Sequence, residues 1–425
     1  MEMKKQQNPK PSNKLRRRRD SWKPWSELPS DLLNLVFERL GYADFRRVES
    51  VCRSWCSAAR RCLAKKQVPW LILLPDEDDK IETHWCRFFN PEEKEKLYRM
   101  RADVFQFANS TILATHGNWL LMVDHWSDLY ILNLFTHEKI YLPEVESQLG
   151  TTKVERTTSR GNFCISNVND HHWPRPTKFK GINMVMRSPV FWIDEGTKEY
   201  VVLWVLGDWC VVYSKKGDVF WNQIQIPLGY FIERFEMVFK DHKLYYLFLN
   251  PRYAGCIKIF DFSGEIPQET FHCDVPANPS LLQPITSNDS WRIWRTKLVV
   301  TINGDVLKVE RLFKYEQEVR LCSFRVYKVC SSGFSNKYGE QVYSLGDEAM
   351  LFDLGVTVLA NDDIVGFKRN SIYYNVISHD ENATQICVFN LETKEMKEEP
   401  LHKFVCSSEH QLGRARWFLP SFKQT

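Results

Sequence analysis

From about residue 68 to the end of the chain, apolar residues recur at every second position in short runs, and this period limits the fold more than any other feature. The runs include PWLILLP, HWCRFF, KLYRMR, WLLMVD, LYILNLF, YVVLWVL, CVVYS, VFWNQI, LYYLFL, CIKIF, LVVTI, VLKVERLF, VRLCSFRVYKV, SIYYNVI and QICVFN. Each is rich in β-branched or aromatic side chains, which suit a pleated surface. Turn signals separate them: SKKGD at 214–218, KDHK at 240–243, FSGE at 262–265 and INGD at 302–305, the last joining two runs as a hairpin. Long helical patterns are absent from this part. An all-β region of this length must dispose of its edge strands, and radial repetition into a propeller does so economically. A strand, a turn, a strand and then F-[DN]-hydrophobic-x-[ST] or a near variant recurs at 129–143, 256–267 and 385–400. The spacing predicts about six blades, starting near residues 68, 111, 181, 235, 291 and 340. The stretch from Glu144 to Lys180, with Arg, Thr, Asn and Pro throughout, fits no strand pattern and is expected to be a long loop on one face.

The N-terminal part has a different period. In SELPSDLLNLVFERLG, Leu32, Leu33, Val36, Phe37 and Leu40 fall in one stripe of a helix, with Ser30 as N-cap and Gly41 as C-terminal cap. A second helix capped by Asp44 is expected to carry Val48, Val51, Cys52 and Trp55 on one face and Arg46, Arg47, Glu49 and Arg53 on the other. About forty residues bury too little apolar surface to stand without help, so Leu28, Pro29, Val51, Cys52 and Trp55 call for a partner's helices to cover them. Leu32, Val36, Leu40 and Val48 are also explained by packing of the two helices against each other.

The Leu-Pro start, the Leu-Leu pair and the Val-Cys-x-x-Trp run between Trp25 and Leu63 resemble an F-box. The resemblance implies docking on the adaptor subunit of SCF-type cullin ubiquitin ligases through Leu28, Pro29, Leu32, Leu33, Val51, Cys52 and Trp55. A second set of motifs, ILATHGNWLLMVD, SLGDEAMLFDLGVTVLA, GFKRNSIYYN and the closing RWFLPS, resembles the plant F-box family whose C-terminal half is a domain of unknown function akin to kelch propellers. Segments 129–143, 256–267 and 385–400 are similar to the outer strands of kelch-type blades. The glycine-poor turn at FKRN and the stretch after residue 144 depart from the family pattern. Together these readings give a mixed fold: a basic tail over 1–21, a small all-α F-box over 22–66, and an all-β kelch-like propeller over 67–422.

Charge and motif content exclude several functions. The net charge is +4, but residues 1–25 hold nine Lys or Arg against two acids. Lys14, Arg16, Arg17, Arg18 and Arg19 form a run with the shape of a nuclear-import patch; a passive solvated tail and a nucleic-acid-attracting arm are the alternatives, the last not expected because no aromatic is interleaved to stack on bases. Nucleus and cytoplasm are both open as locations. No apolar run is long enough to cross a membrane and no leader of secretory type begins the chain, so a soluble intracellular protein is expected and the sequons at Asn109, Asn288 and Asn382 carry no meaning. The twelve cysteines are scattered singly without CxxC, as buried small hydrophobes are. Cys52, Cys56 and Cys62 lack a nearby histidine, and His84 with Cys86, like His171 with His172, is an isolated pair. Asp76, Glu77, Asp78 and Asp79 read as a solvated turn, and His116 to Trp119 as a turn with a packed tryptophan. GxxxxGK[ST], GxGxxG, HExxH and GxSxG are missing, so no cofactor, metal or catalytic group is expected.

The function expected from the resemblance is therefore a substrate receptor of an SCF ligase that binds a target protein unidentified by sequence; a non-ligase F-box scaffold or nuclear regulator is the alternative. Propeller loops gather on two faces while strand residues are committed to packing. Target recognition is accordingly expected at His171, His172, Trp173 and Arg175, at Asn250, Arg252 and Tyr253, and at Trp291, Arg292, Trp294 and Arg295, where aromatics mix with arginine.

Overall fold

The computed structural model of the chain describes residues 25–37, 39–40, 42–48, 50–62, 69–73, 85–91, 96–101, 110–157, 162–167, 177–182, 185–207, 209–225, 234–249, 255–275, 291–316, 319–329, 340–360, 367–378, 383–396, 401–405 and 416–420. Contacts divide it into two units, Met1–Lys65 and Lys66–Thr425.

The first unit is helical. A 3-10 turn at Trp25–Glu27 precedes helices at Ser30–Phe37, Tyr42–Val48 and Arg53–Cys62. The Pro29 carbonyl accepts from Leu33 N at 3.1 Å, so Pro29 occupies the cap position and Ser30 is the first helical residue. The expected single second helix is corrected to two. Ser50 Oγ donates to the Arg47 carbonyl at 2.6 Å, and Ser50 N and Val51 N bond Arg47 O and Val48 O, three residues back, which tightens and ends the helix. A new helix then starts, with the Cys52 carbonyl accepting from Cys56 N at 2.9 Å. Asp44 lies inside the preceding helix, not at its cap, and pairs with Arg47 at 2.8 Å. Leu33, Phe37, Val48, Ala58 and Ala59 form the core, with Leu28, Val36, Leu40, Phe45 and Trp55 packed against it.

The second unit is a β-propeller. Strands Thr111–His116, Met186–Ile193, Arg234–Lys240 and Arg292–Val300 contribute residues to the wall of a central cavity, each as the first strand of an antiparallel run. Thr111–His116, Trp119–Val123, Leu129–Asn133 and Lys139–Tyr141 form one antiparallel sheet; Met186–Ile193, Tyr200–Leu206, Cys210–Lys215 and Trp221–Gln225 form the next. Arg234–Lys240, Lys243–Leu249, Gly255–Asp261 and Gln268–Val275 follow. Adjacent sheets share apolar cores, which is why some strands are buried on both faces. In Tyr200–Leu206 all seven residues are buried. Val202, Trp204 and Leu206 point into the core shared with Trp119 and Ile131, while Val201, Leu203 and Val205 pack on Phe235, Met237 and Tyr246. The period of two remains, but each face meets a neighbouring sheet instead of water.

The predicted INGD hairpin joins Arg292–Val300 to Val306–Glu316, with Gly304 at φ +86°. The modules expected near residues 291 and 340 run into one nine-stranded sheet through the parallel contact Val300↔Val356, so the sheets do not themselves count the blades. The ring closes with the end of the chain. Arg416–Phe418 pairs with Trp70–Leu73, placing the last described strand beside the first strand of the unit, with Trp85–Phe89 and Leu97–Arg101 outside it.

The expected long loop over 144–180 is corrected as well. Thr152–Arg156, Asn162–Asn167 and Thr177–Lys180 make a three-stranded antiparallel sheet, and Gln148–Leu149 pairs in parallel with Trp221–Gln225. Val154, Phe163 and Ile165 are buried in the cluster that contains Trp119 and Trp204. Its apolar alternation spans only two or three residues per strand, too few to stand out among Arg, Thr and Asn. One close approach is unforgiving: a Cβ at Gly255 would lie 2.2 Å from the Phe248 carbonyl oxygen. Gly255→Ala is expected to destabilise the propeller by at least about 2 kcal/mol, measured as a lower urea midpoint at unchanged slope.

Candidate docking surfaces and the central cavity

In the helical unit, packing separates residues that sequence groups together. Leu33 is 1% exposed and belongs to the core, whereas Leu32 is 48% and Val51 59% exposed. Packing therefore does not explain Leu32, although it does explain Val48, Val36 and Leu40. Pro29 is exposed, and Leu28 and Cys52 are half-buried. Trp55 is fixed from within the unit: its Nε1 donates to the Trp25 carbonyl at 2.9 Å, and its ring meets Trp25 and Phe37 edge-on at 6.5 and 5.7 Å. Ser54 Oγ ties the same segments together through the Ser26 carbonyl at 2.7 Å. Cys52 Sγ lies 3.1 Å from Ser54 Oγ, and that hydrogen bond, helped by the Trp55 and Ser54 backbone amides, holds its thiol below the ordinary value. Leu35, 55% exposed and one turn from Leu32, joins the uncovered apolar set and was not singled out by sequence.

In the propeller, Trp291 is 43% and Trp294 51% exposed, and Trp294 stands edge-on to Phe313 at 5.6 Å. Arg292 is half-buried. Lys14, Arg16, Arg17, Arg18, Arg19, His171, His172, Trp173, Arg175, Asn250, Arg252 and Tyr253 lie outside the described residues, as do Asp76 to Asp79 and His84.

The inner strands enclose a cavity of about 1320 Å³. Three of them carry β-bulges, at Ile112/Ala114, Arg187/Val190 and Ile293/Arg295, which re-aim side chains relative to a regular strand. Charges from several sheets meet on the cavity wall. Glu236 faces Lys297 at 3.5 Å and Arg295 at 3.6 Å; Arg295 also lies 3.6 Å from Asp353, and Lys297 Nζ donates to the Asp353 carbonyl at 3.2 Å. Asp353 Oδ2 accepts from Asn375 N at 2.7 Å, and Trp417 Nε1 donates to Asn375 Oδ1 at 3.2 Å. Burial lowers the pKa of Lys297, with Arg295 adding to the effect and Glu236 and Asp353 opposing it. Burial lowers that of Arg416 too, with Asp353 opposing and Arg295 adding. Sequence reasoning singled out Arg295 for recognition but missed the cluster of charges around it. Its signal is a charged residue inside runs that are otherwise strand-like, as in RFEMVFK and RTKLVV.

His116 also lines the cavity, and burial pushes its imidazole from the ordinary 6.5 down to about 4. The neutral form is favoured in the folded state, so His116 contributes stability above pH 6.5 that is lost as pH falls toward 4. The interval sets a ceiling of roughly 3 kcal/mol, reduced by the part of the ring that faces the cavity. His116→Gln is expected to flatten the dependence of the urea midpoint on pH between 6.5 and 4. Among the described residues, no group of three His, Cys, Asp or Glu side chains is placed to hold a metal ion, and no helix is long and apolar enough to cross a membrane.

Comparison with known proteins agrees with this division. Residues 25–67 match the F-box domain, and residues 88–390 match the KIB1-4 beta-propeller, a description without a kelch designation. Arabidopsis thaliana proteins described as F-box proteins are similar over nearly their whole length. At4g22660 is 49% identical over 94% of this chain and 98% of its own, At4g22180 is 48% identical over 97% of each, and At1g69090 is 34% identical over 94% and 93%. The chain belongs to the family of F-box proteins in which the F-box is followed by a KIB1-4 β-propeller.

Proposed function

We propose that this chain is the substrate-recognition subunit of an SCF-type cullin ubiquitin ligase, its F-box docking on the adaptor and its propeller holding a target protein. The observation that carries the reading is the surface of the helical unit: Leu32, Leu35 and Val51 remain about half exposed although the unit's own core is filled by Leu33, Phe37, Val48, Ala58 and Ala59. Apolar side chains left over after a core is complete fit a partner's groove. In this role the chain supplies no catalytic group. Ubiquitin transfer is promoted by holding the target near a charged conjugating enzyme, which raises the effective concentration of the reactants.

The test is co-precipitation of the tagged chain from cells, probed for the adaptor and for cullin together. Recovery of both is expected. Adaptor without cullin favours the non-ligase scaffold, and recovery of neither overturns the reading.

A further inference from the structure

Away from the cavity, three sulfur atoms converge on one hydroxyl where two strand pairs of the propeller face each other. Cys322 lies opposite Phe313 in the pair Val306–Glu316 with Val319–Val329, and Phe324, two residues on, points the same way. Cys387 lies opposite Tyr374 in the pair Ser371–Ser378 with Ala383–Asn390, and the Phe389↔Met396 bridge sets Met396 on that same face. The two faces meet. The Phe324 ring lies 5.1 Å from that of Tyr374 and 5.2 Å from that of Phe389, and Cys322 and Cys387 border the shared apolar core. Tyr374 Oη donates to Met396 Sδ at 3.1 Å, and both thiols lie within hydrogen-bonding reach of the same oxygen. Water reaches the edge of the group, since Met396 is 40% exposed and both cysteines are half-buried.

We propose that Cys322, Cys387 and Met396 form a binding site for a soft monovalent metal ion, Cu(I). The donors set the ion. Among the described residues, no His, Asp, Glu or further Cys completes a set of three with the two thiols, so the third ligand is a thioether. Zinc takes four ligands drawn from Cys, His and carboxylates, and calcium and magnesium take oxygen; thiolates with a thioether suit Cu(I). Burial pushes the Cys387 thiol up to about 11, so at neutral pH it stays protonated and unreactive until an ion takes the place of its proton, which passes to water. Two thiolates around Cu(I) leave one negative charge. Arg311 offsets it: its guanidinium lies 4.4 Å from the centre of the Tyr374 ring, and its charge already favours the Cys387 thiolate.

The probe is Cu(I) itself, presented to the full chain as its coloured bicinchoninate complex, without oxygen and with ascorbate to keep copper and thiols reduced. The wild type should withdraw one equivalent more than a double variant carrying Cys322→Ser and Cys387→Ser. Cys164→Ser, on the separate strand Asn162–Asn167, should match the wild type. Met396→Leu should keep that equivalent but hold it more weakly by about tenfold or more, the loss that even outer-shell changes commonly bring. X-ray absorption at the copper edge gives a reading that does not depend on the stability of the variants: three sulfur neighbours in the wild type, two in Met396→Leu, and no imidazole nitrogen in either. Equal withdrawal by the wild type and the double variant means an adventitious ion only and overturns the proposal. So does an unchanged affinity in Met396→Leu, imidazole nitrogen in the copper shell, or displacement of Cu(I) by an equal concentration of Zn(II).

Discussion

Trp417→Ala is expected to destabilise the propeller by about 3–5 kcal/mol, the usual range for emptying a large buried aromatic site. Trp417 is 2% exposed and packs with Leu71, Phe89 and Tyr373. Its backbone carbonyl accepts from Thr115 Oγ1 at 2.7 Å, and its Nε1 donates to Asn375 Oδ1, so one residue ties the closing strand to two other inner segments. Loss of that tie affects ring closure and not packing alone, because Trp417 sits in the short strand Arg416–Phe418 that pairs with Trp70–Leu73. Truncation after residue 415 removes this strand outright, together with Phe418, which is fully buried. The truncated chain is expected to lose cooperative unfolding altogether, whereas Trp417→Ala keeps a single transition at lower urea. Both are read from far-UV circular dichroism and tryptophan fluorescence in urea. Coincident, unshifted transitions for the truncated chain would show that closure contributes little.

The ease with which the β-rich half reads from sequence has a physical cause. A propeller sheet is paired along its strands and covered on both faces, so the residues that build it, such as Tyr200 to Leu206, are apolar throughout and stand out in any window. The same property hides the cavity. Glu236, Lys297 and Asp353 lie on strands or turns far apart in the chain and acquire meaning only when the ring brings them together. The sheet over Thr152–Arg156 and Asn162–Asn167 escaped notice for a related reason: only alternate residues on one face are buried, and they are few. In the helical unit the apolar stripe was legible, but its break was not. A hydroxyl at Ser50 that takes the Arg47 carbonyl is a local competition that periodicity does not register. Leu32 and Leu33 are adjacent and chemically identical, so sequence gives no way to decide which of them faces inward.

That difference between neighbours yields the sharpest test of the docking surface. Leu32→Asp and Val51→Asp are each expected to weaken adaptor binding by about 2 kcal/mol or more, roughly thirtyfold, as truncation of interface anchors commonly does, and a buried carboxylate adds its own desolvation cost. Neither change should disturb the helical unit, because at 48% and 59% exposure both side chains are outside its core. Leu33→Ala is the contrasting variant. Leu33 is 1% exposed, and its truncation costs about 2–5 kcal/mol of stability, comparable with the whole stability of a unit this small. It should lose adaptor binding through unfolding. Co-purification yield and amide hydrogen exchange, measured on the same three variants, separate the two routes. Leu32→Asp and Val51→Asp should lose the adaptor while keeping wild-type protection in Ser30–Phe37 and Arg53–Cys62; Leu33→Ala should lose both. Trp55→Phe adds a further distinction. Its indole bonds the Trp25 carbonyl and packs within the unit, so a phenyl ring should cost about 1 kcal/mol of stability and leave the docking face in place. If Leu32→Asp and Val51→Asp retain wild-type affinity for the adaptor, the apolar surface outside the helical core serves some other contact.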